Sequence, residues 1–232
     1  MSSDVMEDYL KVIFRLEREE GAPVSTSQIA DDMDVTPPTV TSMMSKLAER
    51  GLVTREKYKG VELTEEGEAI ALETIRHHRL LEAYLTEHLD YEWSEVHEEA
   101  DVLEHHISEV FEQRIADVLD DPPVDPHGDP IPGPDLEPFP DDETAPLSSF
   151  EAGDRLVVAR VSDRDRGELK FLSESGVEPG TSIVIERVTP VGMYRIAVGD
   201  RTCHLPESVA ETIRVRRESE ATDADPPEVP GR

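Results

Sequence analysis

Four side chains with metal-binding groups recur at helical spacing in the middle of the chain. They are His97, Asp101, Glu104 and His105, separated as i, i+4, i+7 and i+8. At about 100° per residue they fall within an arc of roughly 100°, on one face of a helix. Imidazoles and carboxylates that converge inside a helical bundle are typical ligands of a divalent metal ion. The spacing therefore favours a metal-binding face.

Further candidate ligands lie on two other predicted helices. His78 and Glu82 again stand four residues apart, and Asp8 lies near the start of the chain. Three other histidines are assigned to ordinary packing, namely His77, His88 and His106. Most of the remaining acids are expected to be solvated. The chain has no HExxH motif and no Ser or Cys beside an obvious base, so we expect no enzymatic activity.

The elements that position these groups begin with a helix over about residues 4–19, where apolar residues recur at helical spacing. Ser25 and Gln28 have the form of a capping box that opens a short second helix. Thr36, followed by two prolines, is predicted to cap a third helix. Two short apolar runs around Gly60 predict a β-hairpin. This order is the winged helix-turn-helix, in which the helix after the turn enters the DNA major groove.

The third helix and the hairpin carry the residues expected to contact DNA. Hydroxyl and small apolar side chains suited to base edges and phosphates occupy the start of the helix: Thr36, Pro38, Thr39, Thr41 and Ser42. Basic residues suited to the phosphate backbone follow: Lys46, Arg50, Arg55, Lys57 and Lys59. This locally basic stretch favours DNA binding over a winged helix used only for protein contacts.

The rest of the chain predicts two long helices and a small β domain. One helix runs from Thr64 to about His88, and a second from Ser94 to about Leu119. Long helices beyond a winged helix favour a dimer that reads two DNA half-sites. The predicted division is a winged helix-turn-helix domain at 1–72, a helical metal-binding and dimerisation domain at 73–120, a Pro- and Asp-rich linker at 121–149, an SH3-like domain at 150–217 and a disordered tail at 218–232.

The charge of the chain is strongly negative. Its 232 residues include 53 Asp+Glu and 23 Lys+Arg, for a formal net charge of -30. Such a charge ordinarily argues against a nucleic-acid partner. Only five of the bases are Lys, and acids lie in every segment, a pattern that resembles proteins of extreme halophiles. In molar salt the Debye length is roughly 3 Å, so this charge is interpreted as an adapted surface.

Cysteine content and apolar runs set further limits on the class of protein. Cys203 is the only cysteine, which excludes a disulfide scaffold and Cys-based zinc fingers. No apolar run is long enough for a membrane span, and the first residues lack a signal pattern. We therefore expect a soluble, cytoplasmic protein with no membrane partner.

Together these motifs resemble the diphtheria-toxin-repressor family of iron- and manganese-dependent repressors. The matching segments are Met6-Glu7-Asp8-Tyr9-Leu10, the Thr36-Pro37-Pro38-Thr39-Val40-Thr41 run, the stretch from His78 to Glu82, the stretch from Val96 to His105, and Gly128 to Gly133. The resemblance implies a mainly α protein with a small β part. The parts would be an N-terminal winged helix-turn-helix, a helical dimerisation domain and a C-terminal SH3-like (FeoA-like) β-barrel. It also implies a homodimer that binds a palindromic operator in double-stranded DNA.

The resemblance assigns two sets of metal ligands. The primary, regulatory set is Asp8, Asp101, Glu104 and His105. The ancillary set is His78, Glu82 and His97, to which a gap-free match in the C-terminal domain adds Asp165 and Glu168. A charged loop and helix start is the plain alternative for the last two. A metal bound to the primary set would tie the first helix to the dimerisation domain.

Two departures from the family pattern bear on the metal. Iron-type members carry Met and Cys where this chain has Asp8 and Asp101. Oxygen ligands at both positions favour Mn²⁺ as the cofactor, with Fe²⁺ a close alternative. The manganese branch carries Glu where this chain has Lys11, which argues against a closely spaced pair of metal ions. Two other functions stay open: a metal-independent winged-helix regulator with a structural His/carboxylate face, and an acidic metal-storage or adaptor protein.

Overall fold

The structure, a computed structural model, describes residues 3–56, 59–137, 139 and 144–218. The chain divides into two units, Met1–Asp141 and Asp142–Arg232, which are treated separately below. Two predictions fall outside the described residues: the DNA contact assigned to Lys57, and the disordered tail from residue 219 onward.

The first unit opens with the predicted winged helix-turn-helix. Its elements are α1 (Asp4–Glu20), α2 (Thr26–Asp32), α3 (Pro37–Glu49) and the antiparallel hairpin of β1 (Val53–Glu56) and β2 (Gly60–Leu63). The predicted capping box is confirmed, since Ser25 and Gln28 hydrogen-bond each other's backbone N–H groups. Gly60 is required because a Cβ there would lie 2.2 Å from the Val24 carbonyl oxygen, next to the Val24–Val61 bridge.

Helix α4 (Glu65–Leu89) is the longest helix described in the first unit and packs against several other helices. Thr64 caps its start by accepting a hydrogen bond from the Gly67 N–H, and Asp90 ends it in the left-handed conformation. The helix packs against α1 on one side and against the helix that follows it on the other. Residues of α4 therefore face both the predicted DNA-binding elements and the predicted dimerisation elements.

The prediction of one long helix over residues 94–119 is wrong. The structure has α5 (Val96–Leu103) and α6 (Glu109–Val118), separated by a short irregular segment. Ser108 begins the second helix by accepting a hydrogen bond from the Phe111 N–H, and acids in the first turn of α6 suit the helix dipole. Glu104 consequently caps the end of α5, with its N–H still donating to the Ala100 carbonyl, and His105 lies beyond that end.

Apolar packing fixes α1 against α4. Leu10, Ile13 and Leu72 are fully buried in one core that spans the winged helix-turn-helix and the first half of α4. Each such side chain contributes roughly 1.5–3 kcal/mol through burial. A smaller core joins the second half of α4 to α5 and α6. Among the described residues, no helix is both long and apolar enough to cross a bilayer.

The second unit is an SH3-like β fold, as predicted. A six-stranded antiparallel sheet has the order β3-β8-β4-β5-β6-β7. Its strands are β3 (Ala145–Pro146), β4 (Arg155–Val161), β5 (Ser182–Val188), β6 (Met193–Val198), β7 (Arg201–Pro206) and β8 (Ile213–Arg217). Helices α7 (Arg166–Ser175) and α8 (Glu207–Thr212) complete it. The sequence patterns did not predict β3, β7 or α8.

Candidate metal centre

Buried Glu104 lies at the centre of a first group of side chains that could bind a metal. This group, the Glu104 cluster, also contains Asp8, His78, Asp101 and His105. Lys11 Nζ on α1 donates to both Glu104 carboxylate oxygens, at 2.7 and 2.8 Å. His78 Nδ1 on α4 lies 2.5 Å from Glu104 Oε2, and His105 Nε2 lies 3.3 Å from Oε1. One carboxylate thus contacts α1, α4 and the segment after α5.

His105 lies between two neighbouring carboxylates of α1. Its Nδ1 is 2.7 Å from Glu7 Oε2, and its Nε2 is 3.0 Å from Asp8 Oδ1. A carboxylate on one ring nitrogen fixes the orientation of an imidazole and leaves the other nitrogen for a metal. Glu7 is therefore placed to orient His105. The sequence reasoning missed this role, and the only signal for it was the position of Glu7 next to Asp8.

The structure brings the three predicted ancillary residues of the first unit together, since donor atoms of His78, Glu82 and His97 lie within 4.8 Å of one another, but it divides the predicted primary set between two groups. Donor atoms of Asp8, Glu104 and His105 lie within 4.8 Å of one another, and so do those of His78, Asp101 and Glu104. Asp101 Oδ1 is 3.3 Å from His78 Nδ1, because it lies within α5 and faces α4. His105 lies past the end of α5 and faces α1. His78, predicted as ancillary, thus shares Glu104 with the predicted primary set.

Glu82 holds the other two predicted ancillary residues of the first unit. Its fully buried Oε1 lies 3.0 Å from His78 Nε2 and 3.2 Å from His97 Nδ1. The two imidazoles also contact each other, with His78 Nε2 and His97 Nδ1 3.0 Å apart. His78 is therefore in contact with Glu104 through one ring nitrogen and with Glu82 through the other.

Two buried residues complete a second group, the Glu82 cluster, and the sequence reasoning missed both. Donor atoms of Glu82, Asp125 and His127 lie within 4.8 Å of one another, and all three residues are buried. His127 Nε2 donates to the Trp93 carbonyl at 2.7 Å, so its Nδ1 faces Glu82 Oε2 at 3.5 Å. That oxygen accepts no hydrogen bond from the part of the chain that the structure describes.

Asp125 and His127 were assigned to a linker because residues 121–149 show no periodicity. A turn holds the pair in place, since Asp125 Oδ1 accepts hydrogen bonds from the His127 and Asp129 N–H groups at 2.8 and 2.9 Å. Arg79 on α4 fixes the same turn through Asp125, at 3.6 Å, and Asp129, at 3.4 Å. The available signal was a carboxylate and an imidazole two residues apart, which the proline-rich composition obscured.

The two clusters perturb the pKa values of their members. Burial alone would lower the pKa of His78, but the Glu82 and Glu104 carboxylates raise it to about 9. Burial would likewise lower the pKa of His105, yet the carboxylates of Glu7, Glu104 and Asp8 raise it. Burial would raise the pKa of Glu104, but its contacts with His78 and Lys11 lower it. A metal ion bound to His78 or His105 would therefore displace a proton that is held more firmly than on an ordinary imidazole.

The donor set suits a hard or borderline divalent cation. The grouped side chains of both clusters offer carboxylate oxygens and imidazole nitrogens, and no cysteine of the described residues belongs to either group. Such donors fit Mn²⁺, Fe²⁺ or Zn²⁺. A buried Glu82 oxygen without a hydrogen bond, facing an imidazole nitrogen, is also what a cation would satisfy. An open groove of about 590 Å³ beside Asp8, Asp101 and His105 gives solvent access to the Glu104 cluster.

The predicted DNA contacts that the structure describes are all exposed. They lie on α3, at its two caps and in the hairpin: Thr36, Pro38, Thr39, Thr41, Ser42, Lys46, Arg50, Arg55 and Lys59. Arg55 Nη1 donates to Ser45 Oγ at 2.9 Å, which ties the hairpin to α3. Their roles in DNA binding stay predictions.

Asp165 and Glu168 belong to the second unit. Asp165 caps α7, since its Oδ1 accepts a hydrogen bond from the Glu168 N–H at 2.9 Å. Glu168 Oε2 accepts a hydrogen bond from the Thr212 hydroxyl at 3.4 Å. Both residues thus have structural roles at the start of a helix, as the plain alternative expected, and their role as ligands stays a prediction.

Several large apolar side chains of α5 and α6 are exposed in the single chain. They are Val102, Val110, Phe111 and Val118. Exposed apolar residues that share one surface commonly mark an interface.

Three parts of the chain each match the model of a known domain family. Residues 1–61 match the family model of the iron-dependent repressor N-terminal DNA-binding domain. Residues 64–133 match that of the iron-dependent repressor metal-binding and dimerisation domain. Residues 145–217 match the FeoA domain.

Similar proteins cover nearly the whole chain. The iron-dependent repressor IdeR of Mycobacterium tuberculosis is 33% identical over 225 residues, 92% of this chain and 97% of that protein. The regulator MntR of Oceanobacillus iheyensis is 34% identical over 108 residues, 47% of this chain and 72% of that protein. A manganese-dependent transcriptional repressor in complex with manganese is 37% identical with a TM-score of 0.83, covering 92% of this chain and 100% of that chain.

Proposed function

This chain belongs to the iron-dependent repressor family of metal-dependent transcriptional repressors, and we propose that Mn²⁺, or alternatively Fe²⁺, activates it to bind DNA. The regulatory ion would be held by the Glu104 cluster. The observation that carries this proposal is the convergence of Asp8, from the first helix of the DNA-binding domain, with Glu104 and His105, from the end of α5. A divalent cation is the group that would hold two carboxylates and an imidazole at this spacing.

The bound ion would supply positive charge that joins α1 to the segment after α5. Asp8 from α1 and Glu104 from the end of α5 would help to hold the ion, and Glu7 would orient His105 through its other nitrogen. His78 on α4 and Asp101 on α5, which contact each other, would add an imidazole and a negatively charged carboxylate beside the bound ion. With α1 fixed, α3 would be held in a constant position relative to the dimerisation elements, since α1 and α3 share one core.

The Glu82 cluster supports a second metal ion. Glu82, Asp125 and His127 would be its ligands, with His97 adjacent through Glu82. The predicted ancillary residues His78, Glu82 and His97 also have donor atoms within 4.8 Å of one another, so they would support an ion at the same carboxylate, and His78 would join the two clusters. Binding there would fix the turn at residues 125–129 against α4 without involving α1.

DNA binding would use two copies of the chain. The exposed apolar residues of α5 and α6 support a homodimer formed by these helices. Two α3 helices about 34 Å apart would reach successive major grooves of a palindromic operator. The carboxylate oxygens of Asp8 and Asp101 support Mn²⁺ relative to the Met and Cys that iron-type relatives carry at these positions.

The decisive experiment measures operator binding as a function of metal. A labelled promoter fragment is titrated with the purified chain in molar KCl, with Mn²⁺, Fe²⁺ under anaerobic conditions, Zn²⁺ or EDTA. We expect tight binding with Mn²⁺ or Fe²⁺ and its loss in EDTA. Asp8→Asn should lose the metal response, whereas Asp31→Asn, an exposed change on α2, should keep it. Operator binding that is equally tight in EDTA and in metal would instead favour a metal-independent regulator. A lack of operator binding in every condition would favour a protein that does not act on DNA.

A further inference from the structure

Lys11 places a cation of the chain itself among the carboxylates of the Glu104 cluster. It extends from α1, and its side chain is 21% exposed. Its Nζ lies 2.7 and 2.8 Å from the Glu104 oxygens and 3.6 Å from Asp101 Oδ1. A single ammonium group therefore bridges α1 to the end of α5, between the same two elements that the regulatory ion is proposed to join.

Both oxygens of Glu104 are already engaged by these contacts. Lys11 contacts Oε1 and Oε2, and His78 Nδ1 also contacts Oε2. A metal ion that uses Glu104 as a ligand must take one of these oxygens from a positively charged partner. If Lys11 stays in place instead, a full positive charge remains within a few ångströms of the ion and repels it. Either outcome weakens metal binding.

Resting on the proposed function, we propose that Lys11 is a tethered cation that competes with the regulatory metal for Glu104, and so sets the metal concentration at which the chain responds. Lys11 also compensates the buried charge of Glu104 when metal is scarce, because an unpaired buried carboxylate is costly. The chain then exchanges a lysine bridge for a metal bridge, and its sensitivity depends on the difference in strength between the two.

The test compares variants at this position by calorimetric titration with Mn²⁺. Lys11→Met removes the charge and retains most of the side-chain length, whereas Lys11→Arg retains the charge. Lys170→Met, at an exposed position on α7, is the matched control. We expect Lys11→Met to bind Mn²⁺ at least tenfold more tightly than the wild type, which corresponds to about 1.4 kcal/mol. The other two variants should stay within about twofold of the wild type.

A second readout separates competition from a purely structural role. Without metal, Lys11→Met should melt at a lower temperature than the wild type, because Glu104 loses its ammonium partner. A lower melting temperature together with unchanged or weaker Mn²⁺ affinity overturns the inference and leaves the proposed function intact. A wild type that binds none of Mn²⁺, Fe²⁺ or Zn²⁺ overturns both. If Lys11→Met does not fold, Lys11→Gln replaces it with the same expected gain in affinity.

Discussion

Replacing Glu104 by glutamine tests whether this carboxylate is the hub of the metal centre. The change keeps the shape of the side chain and removes its charge, which leaves Lys11 and His78 facing a neutral amide. The pKa of His78 is about 9, so both partners are cations at neutral pH in the absence of metal. Glu104 is fully buried, and Lys11 and His78 are mostly buried.

The magnitude follows from this burial. Removing one partner of a buried charge pair lowers the free energy of unfolding by roughly 3–5 kcal/mol. Because Lys11 is partly exposed, we expect a loss at the lower end, about 3 kcal/mol. In a domain of this size 1 kcal/mol corresponds to roughly 2–4 °C, so Glu104→Gln should lower the melting temperature of the metal-free protein by about 6–12 °C. Metal at a hundred times its Kd should raise the free energy of unfolding of the wild type by about 2.7 kcal/mol. The variant should not gain the part of this stabilisation that comes from metal bound at the Glu104 cluster.

The assay is thermal unfolding, followed by calorimetry, with EDTA and with increasing Mn²⁺. Glu87→Gln is the matched control, because Glu87 is exposed on α4 and a surface change of this kind alters stability by about 0.5 kcal/mol or less. The reasoning is refuted if Glu104→Gln melts within about 2 °C of Glu87→Gln in EDTA. It is also refuted if Mn²⁺ stabilises both variants equally.

Three further predictions test other parts of the site. Glu7→Gln should weaken Mn²⁺ binding by about 10- to 100-fold in a calorimetric titration, because His105 loses the partner that orients it, and wild-type affinity would contradict this. The carboxylates of Glu7, Glu104 and Asp8 raise the pKa of His105, so protons compete with the metal for this imidazole up to a higher pH than for an ordinary histidine. Mn²⁺ affinity should therefore rise with pH and binding should release protons, whereas a pH-independent affinity would argue against His105 as a ligand. Arg55→Gln should weaken operator binding and reduce the slope of log K against log salt by about 0.9, and an unchanged slope would place Arg55 away from phosphates.

The sequence predicted the elements of the winged helix-turn-helix well because each one depends on signals from neighbouring residues. The capping box at Ser25, the prolines that open α3 and the hairpin around Gly60 each depend on neighbouring residues only. The helical spacing of residues 97–105 holds as far as Glu104, whose N–H still donates to the Ala100 carbonyl. The prediction of one helix over residues 94–119 was wrong because it extended the same period across Ser108, where a new helix begins.

The sequence by itself determined which chemical groups are present and which family they resemble. It supplied Asp8, His78, Glu82, His97, Asp101, Glu104 and His105, and it predicted that α3 and the hairpin contact DNA. The negative charge of the chain did not obscure this, since residues 36–63 are locally basic, with five Lys+Arg against three Glu.

Only the tertiary structure decided which of these groups meet. Lys11 and Glu104 are 93 positions apart, and Glu7 and His105 are 98 apart, so no periodicity within one helix relates them. The packing of α1 on α4 brings them together. Asp125 and His127 join Glu82 because a turn without periodic signal is buried against α4. Burial in these contacts also perturbs the pKa values of the ligands, since charges interact more strongly when water is excluded.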